Sequence, residues 1–149
     1  MHADVTVNIP ILALLGFAAW TLLTLVGSIC VYRWSRIFSG RTTIAEWYLP
    51  HKGDDWYQRA KRAHMNCIEN LPIYSAIVVA LIATGLGGPT IDCLAIAILP
   101  ARIGQTLTHI MLPASNVAAS IRFGFYCIQL ACMVSLGAMT IAAVLVGTA

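Results

Sequence analysis

Charge is what this chain has least of: only 10% of its 149 residues are Asp, Glu, Lys or Arg. An average soluble domain carries roughly 25%, so a soluble globule of this sequence could not cover its surface with polar groups. Disorder is excluded from the other side, because 59% of the residues are hydrophobic and such a chain cannot stay hydrated without burying them. The apolar runs show no period-two alternation, which removes the membrane β-barrel. No internal repeat or low-complexity tract stands out. The five cysteines form no C-x-x-C pair and no zinc-like spacing with the four histidines, so neither a metal site nor a structural disulfide is expected. Cys30, Cys67, Cys93, Cys127 and Cys132 read as small hydrophobes packed between helices. His51 and His64 read as interfacial or packing side chains. The N-terminus lacks the basic region of a secretory signal, and its apolar run approaches a full membrane span.

What is present is a set of long uncharged stretches. Residues 5–32, 70–91, 103–121 and 123–149 contain no Lys, Arg, Asp or Glu, and a helix needs about 20 apolar residues to cross a bilayer. The expectation is an all-α integral membrane protein, a four-transmembrane-helix antiparallel bundle forming one domain over 1–149. Its spans are expected at about 8–32, 56–85, 90–111 and 115–146. Gly85–Pro89 and 111–116 are short turn-like connections, whereas the first connection is long and polar. Pro72 and Pro100 fall inside helices and are expected to bend them.

Arg33, Arg36, Arg41, Lys52, Arg59, Lys61 and Arg62 lie in or beside the first connection. In a membrane protein such a cluster marks the cytoplasmic side, with both termini on the other; it does not indicate a nucleic-acid partner. Ionisable groups at membrane depth are expensive and point to function. Arg62, Asn66 and Glu69 share one stripe of the second span, Arg102 and His109 one face of the third, with Gln105 and Thr106 beside them, and Arg122, Tyr126 and Gln129 one face of the fourth. Counted from the inner end, Arg102 and Glu69 reach similar depths, which predicts an ion pair between them. Together the stripes describe a cationic cavity opening toward the cytoplasm. Arginines suit carboxylates, phosphates or a thiolate, and a buried acid suits a ligand amine.

The segment Arg62-Ala63-His64-Met65-Asn66-Cys67-Ile68-Glu69-Asn70-Leu71-Pro72 resembles the R-A-x-x-N-x-x-E-x-x-P signature of the membrane-associated proteins in eicosanoid and glutathione metabolism. Length, four spans, a long first cytoplasmic loop and an arginine at the head of the fourth helix extend that resemblance over the whole chain. It implies that Arg62, Asn66 and Glu69 hold glutathione, the co-substrate, and that Arg102, Tyr126, His109 and Arg33 belong to the same binding group. It also implies that Arg122 is catalytic and stabilises the glutathione thiolate. His109 stands where some members carry a tyrosine, and Phe123 where the prostaglandin synthase has a serine. The Arg102–Arg122 interval is also longer than in the eicosanoid enzymes. These departures disfavour prostaglandin or leukotriene synthesis. The resemblance implies a bacterial-type glutathione transferase or peroxidase acting on lipophilic substrates in contact with membrane lipid, a homotrimer in a bacterial inner membrane with its site facing the cytoplasm. A lipid-binding or scaffold protein of the same fold is the alternative, and a transporter or channel subunit a more distant one.

Overall fold

The structure, a computed structural model, describes residues 8–49 and 53–147; His51 and Lys52 lie outside the described residues. Four helices long and apolar enough to span a membrane account for most of it: α1 (Ile9–Phe38), α2 (Asp55–Thr84), α3 (Pro89–Met111) and α4 (Asn116–Gly147). Among the described residues there is no strand. The first span was expected to end near residue 32. It runs instead to Phe38, because Arg33 and Arg36 continue the helix past the end of the apolar run.

Local chemistry sets the helix ends. Asn8 caps α1, its Oδ1 accepting from Ile11 N at 3.1 Å, with Pro10 in the first turn. Midway, Leu25–Cys30 widens into a π-helical segment, which resets the facing of the residues beyond it. At the end of α2, Gly85 adopts φ 66°, a left-handed conformation that costs glycine nothing. Gly85 N then donates to Ile82 O and Leu86 N to Leu81 O, the paired bonds of a Schellman stop. Pro89 opens α3 two residues after Gly87, so α2 and α3 can only run antiparallel. Ser115 Oγ accepts from Ala118 N at 3.1 Å and starts α4.

Helix α4 packs extensively along α3 and also contacts α2, while α1 lies against α2 and α3. The apolar core occupies one half of the bundle: Phe17, Tyr74, Val78, Leu81, Ile91, Ile98 and Leu136 are buried there. The other half, nearer the first connection, holds polar side chains. Cys67 and Cys132 are buried as expected of small hydrophobes, but Cys93 and Cys127 are exposed on the bundle's outside; all five thiols are free. The first connection folds back on its own helices. Tyr32 stacks on Tyr57 with ring centroids 4.7 Å apart, Trp47 meets both rings edge-on, and Arg36 pairs with Asp54 at 2.8 Å.

Candidate functional site

Three helices converge on a cavity of about 390 Å³ in the polar half. Helix α2 contributes Arg59, Arg62 and Asn66; α3 contributes Gln105 and His109; α4 contributes Arg122, Phe123 and Tyr126. The periodicity explains the convergence: 59, 62 and 66 follow helical spacing, as do 105 and 109, and 119, 122 and 126. Three guanidinium groups and an imidazole face one space, and no carboxylate among the described residues lines it. Such a wall favours an anion, because guanidinium forks match carboxylates and other anionic oxygens and stay charged at any working pH.

Five of the expected site residues thus come together: Arg62, Asn66, His109, Arg122 and Tyr126. Three do not line this cavity. Glu69 is exposed on the outward face of α2 and lines a separate depression of about 370 Å³ that Arg62 and Asn66 also border. Arg33 lies at the far end of α1. Its Nε donates to Tyr57 Oη, its guanidinium faces the rings of Trp47 and Tyr57, and it borders a mostly apolar cavity of about 420 Å³. Arg102 is buried behind the cavity wall, 1% exposed.

The expected Arg102–Glu69 ion pair is not formed. Arg102 Nη1 donates instead to Gln105 Oε1 at 3.0 Å and, more weakly, to the Asn66 carbonyl at 3.4 Å. Its guanidinium lies 4.9 Å from the Phe17 ring centroid. Position along the axis does not decide such a pair alone; azimuth does. The buried face of α2 runs through Ala60, Ala63, Cys67 and Tyr74, and Glu69 sits about 200° around the helix from Cys67 at ~100° per residue. Arg102 enters beside Cys67, on the wrong side to meet it.

Two contributors carried no assigned role in the sequence reading. Arg59 precedes Arg62 by three residues, so extending the 62–66–69 stripe one turn toward the first connection would have found it. Its Nε also donates to Ile110 O at 3.2 Å, tying α2 to the end of α3. Gln105 was visible beside Arg102 and His109, but only the fold shows that it faces the cavity. From the cavity's edge at Tyr126, an apolar groove of about 430 Å³ continues between α2 and α4, past Ile73, Ile77, Leu130 and Met133. Tyr126 borders both spaces.

Fold and site define a multi-pass helical membrane protein with a cationic cavity joined to an apolar groove. Comparison with protein families places it more narrowly: residues 11–142 match the model of the MAPEG family, and the chain belongs to that family. No curated protein and no solved structure matches it.

Proposed function

We propose that this protein is a membrane-bound glutathione transferase with the capacity to act as a peroxidase. The observation that carries the reading is the cavity itself, where Arg59, Arg62, Arg122 and His109 meet beside Tyr126 and the apolar groove. Glutathione brings two carboxylates, one ammonium and a thiol, which suit an arginine-rich pocket with amide side chains at its edge. A lipophilic electrophile would arrive along the groove and meet the thiol at Tyr126. In transfer, the thiolate sulfur bonds to the electrophilic carbon and the leaving group departs with its electron pair. In peroxide reduction, two thiols become one disulfide while the O–O bond is cleaved, giving an alcohol and water.

The proposed assembly is a homotrimer. Glu69 supports it, being exposed on the outside of a single bundle within a span, where an uncovered carboxylate is costly. A neighbouring copy covering that face would shelter Glu69 and bring it to the ligand's ammonium. Arg33 would likewise reach a ligand only through a neighbour's site. The proposed location is a bacterial inner membrane with the cavity facing the cytoplasm; the basic first connection supports the cytoplasmic side.

The test is calorimetric titration of the detergent-solubilised protein with glutathione and its S-alkyl analogues, followed by turnover with a model electrophile and a lipid hydroperoxide. Saturable glutathione binding with turnover supports the reading. A protein that binds a fatty acid and shows no glutathione-dependent turnover is instead a lipid-binding or scaffold member of the family.

A further inference from the structure

We infer that Gln105 is a hydrogen-bond donor of fixed orientation facing the ligand, and that buried Arg102 and Gln129 are the positioning residues that hold it so. An amide side chain can present either its oxygen or its nitrogen, and a free glutamine offers both. Here the choice is removed. Gln105 Oε1 accepts from Arg102 Nη1 at 3.0 Å and from Gln129 Nε2 at 3.0 Å. An arginine has donors only, so the atom it meets must be the oxygen. Gln129 is fixed in turn, because its Nε2 also donates to the Phe125 carbonyl at 2.9 Å. Both protons of that nitrogen are committed.

With the carbonyl end of Gln105 held from behind by two donors, its NH₂ is the end left for the cavity that the residue lines, and that nitrogen has no partner among the described residues. Turning the amide over would set its NH₂ against two donors in a buried site, where unpaired polar groups are costly. Arg102 and Gln129 are both 1% exposed, so water does not compete for these bonds. The wall behind the three arginines therefore adds one more donor and no acceptor. It selects ligand groups that accept, namely a carboxylate, a thiolate or another anionic oxygen, and rejects a donor such as a protonated amine at this point. The inference rests on the binding cavity proposed above and specifies its inner wall.

Gln105→Glu separates the two ends of the side chain. It keeps an oxygen for Arg102 and Gln129, so thermal stability should match or exceed the parent's. It replaces the outward donor by an acceptor, so glutathione affinity should fall about tenfold or more, the value of one hydrogen bond to a charged group. In protein labelled with ¹⁵N-glutamine, the carboxamide signal missing from Gln105→Glu should shift in the parent when glutathione or inorganic phosphate is added. Arg102→Met should weaken glutathione binding in the parent but not in a Gln105→Leu background, and Arg102→Lys, which keeps a donor, should restore it. If Arg102→Met does not fold, Gln129→Leu serves in the same cycle. Undiminished affinity in Gln105→Glu, or a Gln105 signal that neither probe moves, overturns the inference. Equal losses from Arg102→Met in both backgrounds overturn the positioning role. A parent that ignores glutathione while phosphate shifts the Gln105 signal counts against the glutathione reading alone and supports this one.

Discussion

Arg59 of α2 donates through Nε to the Ile110 carbonyl at 3.2 Å, in the last turn of α3, where backbone carbonyls have no partner within the helix. A cation there also complements the negative end of the helix. The bond therefore holds the turn that carries His109. Arg59→Gln should destabilise the protein by about 1 kcal/mol and speed amide exchange over residues 108–112. The same change at exposed Arg41 should do neither. Unchanged exchange in the Arg59 variant would show that the turn holds itself.

The close approach of α3 and α4 rests on Gly104. A Cβ at that position would lie 2.6 Å from Phe125 Cζ and within 3.0 Å of two further ring atoms. Gly104→Val should push the helices apart, costing about 1–3 kcal/mol, and draw Gln105 of α3 away from Gln129 of α4. At Gly16 the added Cβ meets Leu99 Cδ2 at 2.6 Å, the flexible tip of a side chain. Gly16→Ala should therefore be the milder change. Thermal unfolding in detergent ranks the two, and a reversed order would mean that the Phe125 ring yields more readily than Leu99.

The spans were legible because a bilayer demands long uncharged runs, and the short turns because Gly85 and Pro89 punctuate the chain. The stripes 62–66, 105–109 and 122–126 were legible because helical spacing alone puts their members on one side. What spacing does not supply is the azimuth at which two helices face each other. Arg102 and Glu69 were matched in depth, yet Arg102 turns toward Gln105 and Glu69 faces outward. Arg33 stands beyond the π-helical segment at Leu25–Cys30, and its membership of a site came from the resemblance alone, since helical spacing does not relate it to the other stripes.

Asp54 gives the first connection an acid sensitivity. The Tyr32 hydroxyl beside it holds its carboxyl below the ordinary aspartate range; desolvation opposes this, and the Arg36 guanidinium adds to the lowering. A depressed folded-state pKa contributes stability above the ordinary value of about 3.9 and loses it as pH falls through the depressed one. The Arg36–Asp54 tie should thus persist through neutral and mildly acid pH and release only below about pH 4. Amide exchange over residues 39–49 should rise there in the parent. Asp54→Asn should exchange faster already at neutral pH, without that acid step.

Topology follows from the basic residues between Arg33 and Arg62. Cysteines introduced at exposed Arg41 and at Gly87, where a side chain meets nothing within 4 Å, should react with a membrane-impermeant thiol reagent from opposite sides, Arg41→Cys from the cytoplasm. The background should carry no other cysteine. Labelling from the same side would overturn the four-span arrangement.

Arg122 tests the chemistry. The thiolate is the nucleophile, and an unperturbed cysteine thiol has a pKa of about 8.5, so only a few per cent is reactive at neutral pH. Lowering that pKa by about two units takes ~2.7 kcal/mol of preferential interaction with the anion. A guanidinium in a partly dry cavity supplies that scale of interaction and cannot lose its own proton. Arg122 is half-buried and lines the cavity beside Tyr126, where the apolar groove begins. Sulfur held there would face an electrophile coming from lipid. An arginine that merely reached for a lipid phosphate would leave the thiol untouched. Arg122→Leu should keep most of its glutathione affinity, through Arg59, Arg62 and Asn66, and lose the ultraviolet absorbance of bound thiolate at pH 7. Its conjugation rate should recover as pH approaches the free thiol's pKa, because the solution then supplies the thiolate that the arginine no longer stabilises. If the variant conjugates a model electrophile at pH 7 as fast as the parent, thiolate activation resides elsewhere in the cavity.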